Sequence, residues 1–150
     1  MEHVQRFSTD IYKVETINGE IIVSLKQKYI SDKELNKINL AKSHILNCII
    51  KNKNSNTIIT KHTKYFSILK EIWHTMSPTR VVKTSDFKIE IGDKKCVKGY
   101  IFDKNLGLSI QRKDANQTMK EIINMLRVNN YSIDIKIQLN GGKVINYKYN

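Results

Sequence analysis

Tyr131, Ile133, Ile135, Ile137 and Leu139 alternate strictly with Ser132, Asp134, Lys136 and Gln138, and Asn140-Gly141-Gly142 follows at once. A period of two puts every apolar side chain on one face of a strand. An Asn-Gly-Gly stretch supplies the positive φ values of a tight reversal. The chain must therefore build antiparallel sheet with one buried face, residues 143–149 forming the returning strand. A second signal of the same kind lies near the start, where residues 11–17 and 20–28 flank Asn18-Gly19, a pair suited to a type I′ turn.

Helices interrupt these strands. Ser31 and Glu34 stand at capping-box spacing, which predicts a helix beginning there. Leu35, Ile38, Ala41, Ile45 and Ile49 recur at helical spacing and carry that helix toward a loop at 52–56. Lys33, Lys37, His44, Asn47 and Lys51 then share its opposite face. Residues 57–60 read as a short strand. Phe66, Leu69, Ile72, Trp73 and Met76 set the period of a second helix, which Pro78 ends. Phe87, Ile89 and Ile91 begin a strand that turns at 92–95 and returns over 97–102. A further turn at 103–105 leads into Leu106, Leu108 and Ile110. Asp114, with Gln117 three residues on, caps a third helix bearing Met119, Ile122, Ile123 and Leu126 on one face; Asn129-Asn130 ends it.

The fold class expected is α+β, a mostly antiparallel sheet built from hairpins with about three helices. A chain of 150 residues is read as one basic domain, 1–150, with Ser77-Pro78-Thr79 as the boundary between sub-lobes 1–77 and 78–150. No apolar run approaches the ~18 residues of a membrane helix, and MEHVQRFSTD lacks the pattern of a secretory signal. The expectation is a cytoplasmic protein with no membrane partner. Cys48 and Cys96 have neither metal spacing nor a local His partner, so both read as buried free thiols and no metal or other cofactor is expected.

Charge points to a partner. Residues 31–70 hold eight lysines against Asp32 and Glu34, a net +6 of the total +12, while residues 1–30 balance to zero. Such a field favours polyanions, nucleic acid first. With 22 Lys against 4 Arg, the charge suits phosphate contacts better than base readout, for which the planar guanidinium is preferred. The same profile, with 15 Asn and 23 Ile, matches the codon supply of an AT-rich genome such as that of a virus or phage. The residues expected to carry binding to DNA or RNA are Lys37, Lys51, Lys53, Lys61 and Lys64, with His62 and Tyr65 shaping the site.

Catalytic constellations are sparse. His62 and His74 are candidates for metal-independent cleavage of RNA, one as base and one as acid, with Lys61 or Lys64 beside the reacting phosphate. Nothing near either histidine in sequence is suited to orient its ring. Asp86, Glu90, Asp93 and Lys95 loosely match the acids and lysine of metal-dependent nucleases, but they read as strand and turn residues. Ile11-Tyr12-Lys13, Thr16, Asn18-Gly19 and Ile21-Ile22-Val23 together resemble the opening hairpin of GIY-YIG endonucleases. That family has a second tyrosine where this chain has Ile22, and an arginine that the following segment lacks, so its activity is not carried over. Isolated glycines provide no phosphate-cradling loop.

The function expected is therefore a non-enzymatic nucleic-acid binder that contacts the phosphate backbone with little sequence preference. A small nuclease using His62 and His74 is the first alternative. A viral or mobile-element module that binds an acidic host protein is the second. Unpaired strand edges also leave a homodimer open.

Overall fold

The computed structural model describes residues 4–8, 12–25, 28–61, 63–93 and 98–150. Among the described residues three sheets and four helices follow one another as an α+β chain in which nearly all strand pairs are antiparallel. The first sheet has the order β1-β2-β3, with β1 Val4–Ser8, β2 Tyr12–Ile17 and β3 Glu20–Leu25. The Asn18-Gly19 turn joins β2 to β3 as expected, with φ of 49° and 84° and Ile17 opposite Glu20. β1 had no counterpart in the sequence reading.

The second sheet holds the core. Its order is β4-β11-β10-β5-β6, with β4 Tyr29–Ile30, β5 His44–Asn52, β6 Ile58–Thr60, β10 Tyr131–Gln138 and β11 Val144–Tyr149. Strands from both sides of Pro78 share this sheet. The alternation at 131–138 appears directly as burial: Tyr131, Ile133, Ile135 and Ile137 face inward, joined by Ile145 and Tyr147 from β11. Helices α2 (Tyr65–His74) and α4 (Ala115–Asn129) pack against each other and cover that face with Ile68, Leu69, Ile72, Trp73, Met119, Ile122, Met125 and Leu126. Each such side chain removed from water contributes on the order of 1.5–3 kcal/mol before entropy is counted. α4 begins and ends as its sequence predicts. The Asp114 carboxylate accepts from the Gln117 N–H, and Asn130 closes the helix in the left-handed region at φ 57°.

Three expectations are corrected. The helix expected over 31–51 stops after one turn, as α1 Asp32–Asn36, although its capping box is formed as read. Residues 44–52 are instead strand β5. A bulge at Leu46, where Lys136 pairs with Asn47 but Ile137 with Ile45, adds one residue to β5. The inward side chains are therefore Ile45, Cys48 and Ile50, and the three-residue step imitates helical spacing.

Pro78 does not only follow a helix; it opens another, α3 Pro78–Thr84. Ser77 Oγ accepts from the Arg80 N–H, and proline at the first position gives up an N–H that has no intrahelical partner there. The third sheet has the order β7-β9-β8, with β7 Ile89–Ile91, β8 Tyr100–Asp103 and β9 Leu108–Gln111. β7 thus pairs with β9 rather than returning onto β8. Leu108 and Ile110 on β9 are deeply buried, which favours the central place for that strand.

Among the described residues no helix is long and apolar enough to cross a membrane.

Candidate nucleic-acid interface

β5 runs between two basic regions, one at each end. At its His44 end, the chain returning from β6 brings Thr63, Lys64 and the first turn of α2 alongside. The passage from β9 to α4 brings Arg112, Lys113 and the first turn of α4 to the same place. Together they line an open groove of about 720 Å³. Lys64, Lys70, Arg112 and Lys113 supply four cations to it, and no Asp or Glu is among its lining residues. α2 has no acidic residue in its first turn and no side-chain cap, so the partial positive charge of its start adds to the field, whereas the Asp114 carboxylate caps the start of α4 and offsets it there.

Local structure fixes these side chains. Arg112 donates its backbone N–H to the Gly99 carbonyl at 2.8 Å, and its guanidinium lies over the Phe66 ring, 5.7 Å from the centroid. Phe66 is braced edge-on against the buried Trp73. The Tyr65 hydroxyl is within 2.7 Å of Ser43 Oγ, and burial raises its pKa. Tyr65 is therefore a half-buried wall residue with an anchored hydroxyl. Lys64 caps α2 through its backbone only, with no side-chain hydrogen bond to the helix start. The chain matches no family model, no curated protein and no solved structure.

Of the residues singled out by sequence, Lys64 and Tyr65 line the groove, and exposed Lys61 stands three residues before Lys64. His62 lies outside the described residues. Lys37 ends α1 beside a separate hollow of about 240 Å³ that includes Asn116 and Lys120, so it faces another flank of α4. Lys51 and Lys53 belong to the far end of β5. Eight residue steps at ~3.3 Å put that end about 26 Å from the groove. There the amides serve the turn itself. Asn52 Oδ1 accepts from the Asn54 N–H, and Asn130 donates to Asn54. Lys53 sits over the Tyr149 ring, with Nζ 5.1 Å from its centroid.

Lys70, Arg112 and Lys113 were not among the expected binding residues. The adjacent pair Arg112-Lys113, directly before a well-capped helix, is the sequence signal that marks them.

His74 has an orienting partner after all. Its Nε2 lies 2.6 Å from Oδ2 of buried Asp103, whose other oxygen accepts the backbone N–H groups of Asn105 and Leu106. His74 is one helical turn beyond Lys70, and Asp103 is two residues beyond Ile101, another groove residue. Among the described residues no group of three or more His, Cys, Asp or Glu, Asp86, Glu90 and Asp93 included, is placed to hold an ion. Lys95 and Cys96 lie outside the described residues. Cys48 is a buried free thiol, its pKa pushed up to about 12 by burial, with the Asp134 charge adding to the shift.

Proposed function

We propose that this protein binds nucleic acid through the phosphate backbone, with little sequence preference, and that the groove between the starts of α2 and α4 is the seat of that binding. The observation that carries the reading is the convergence of Lys64, Lys70, Arg112 and Lys113 on one groove without a lining carboxylate. Phosphate oxygens accept from ammonium and guanidinium donors, and the hydroxyls of Ser43 and Thr63 in the same groove add neutral donors. Because three of the four cations are lysines, the contacts position a backbone and read few bases.

The test is binding of labelled oligonucleotides across a salt series, after co-purified nucleic acid has been stripped. Supporting data are affinities that fall steeply with salt and are similar for unrelated sequences. An absence of binding at low salt overturns the reading.

A second reading, phosphodiester cleavage without a metal, draws on one observation: Asp103 orients the His74 ring one turn from Lys70. Cleavage of RNA that persists in chelator and disappears in His74→Ala separates a nuclease from a pure binder. Intact RNA after long incubation removes it.

A further inference from the structure

We infer that the groove selects single-stranded over double-stranded nucleic acid, an inference that rests on the phosphate-binding reading above. The cations do not stand on a uniformly polar surface. They rim a concavity whose floor includes Ile45, Phe66, Ile101 and Ala115. A duplex offers its phosphates on the outside and keeps its base faces stacked within, so an apolar floor beneath the phosphate contacts gains nothing from it. An unpaired strand has both parts to offer: phosphates for the rim and the flat face of a base for the floor.

The volume agrees. About 720 Å³ of open groove gives room for a nucleotide unit. Arg112 provides the stacking surface. Arg112 is an exposed residue, and its Cζ lies 5.7 Å from the Phe66 ring centroid. A guanidinium held beside that ring offers a plane on which an unpaired base can stack.

The experiment compares a labelled single strand with a duplex of the same length over 50–200 mM salt, using the whole chain and then the Arg112→Lys variant. Arg112→Lys keeps the charge and removes the plane, and Arg112 is exposed, so folding is not at stake. The wild-type protein should prefer the single strand by about tenfold or more, the scale of one base stack. Arg112→Lys should lose most of that preference, its affinity for the single strand falling more than its affinity for the duplex.

A duplex bound as tightly as the single strand overturns the inference and leaves the phosphate reading standing. Arg112→Lys with its preference intact also overturns it, by removing the stacking surface. Failure to bind either form at 50 mM salt overturns the phosphate reading itself.

Discussion

Both ends of β5 are basic, and the fold assembles that charge differently at each. At the Asn52 end, Lys51 and Lys53 belong to a strand end and a turn whose polar groups answer one another. The Asn52 N–H donates to the Thr57 carbonyl, the Asn56 N–H to the Asn52 carbonyl, and the Lys53 N–H to the Asn130 carbonyl. At the His44 end, cations from three separate stretches, 64, 70 and 112–113, are drawn together around a concavity. Charge that is dense along a chain makes a solvated surface. Charge that is dense in space, over an apolar floor, makes a site.

The largest effect should come from the core that both ends share. Cys48 lies midway along β5, and burial holds its thiol protonated up to about pH 12 against an ordinary value of 9.0. Tyr147 is raised from 10.0 as well, by burial and by its hydrogen bond to Asp32. The unfolded chain ionises these groups first, so their contribution to stability is complete below pH 9 and is lost as pH rises toward 12. At pH 12 the Cys48 part alone is on the order of 4 kcal/mol. Alkaline titration should remove the near-ultraviolet signal of Trp73 and the sheet signal together, and Cys48→Ala should flatten the decline. If the two signals part, the two ends do not rest on one core.

Charge reversal at the groove comes next. If the groove binds phosphates as proposed, Lys64→Glu with Lys113→Glu removes two charge-assisted contacts, each worth roughly tenfold in affinity, and binding should weaken by about a hundredfold. The salt slope should fall by about 1.4, the share of two phosphates on a single strand. Measured together, the affinity and the slope show whether the lost contacts were phosphate contacts. A weaker complex with an unchanged slope would place the effect elsewhere.

Asp103→Ala tests the wall rather than the rim. It removes the partner of His74 and leaves the N–H groups of Asn105 and Leu106 without their acceptor, at a cost of about 1–3 kcal/mol. Thermal unfolding should report that loss. Affinity should fall by less than in the double reversal, because α2 and β8 remain in place with a looser junction.

Much of this architecture was legible because local signals and tertiary packing agree. Asp114, Gln117 and Asn130 bound α4 as caps should, and the alternation from Tyr131 onward is the inner face of β10. β5 was misread because a bulge at Leu46 breaks its period, and a bulge is set by the partner strand, which local spacing does not reveal. The site was only half legible for a related reason. Lys64 and Tyr65 stand in the basic stretch, but Arg112 and Lys113 come from a segment whose nearness to α2 depends on how α4 packs. Asp103 looked like a turn residue and is the last residue of β8, its carboxylate accepting from the turn that follows; its second role, holding His74, exists only once β8 and α2 meet.

The smallest effect decides whether the comparison holds. Lys51→Glu with Lys53→Glu changes the net charge as much as the groove pair does, so any general attraction between the protein and a polyanion falls equally in both variants. If the groove is the seat of binding, the variant at the far end should stay within about twofold of the wild-type affinity at 150 mM salt, where charges more than ~8 Å away are largely screened. At 10 mM salt, where the screening length grows to ~30 Å, its deficit should become visible. A loss at 150 mM as large as that of the groove pair would mean that the strand of nucleic acid runs the length of β5, and that the loop end, self-satisfied as its amides are, still holds phosphates with its lysines.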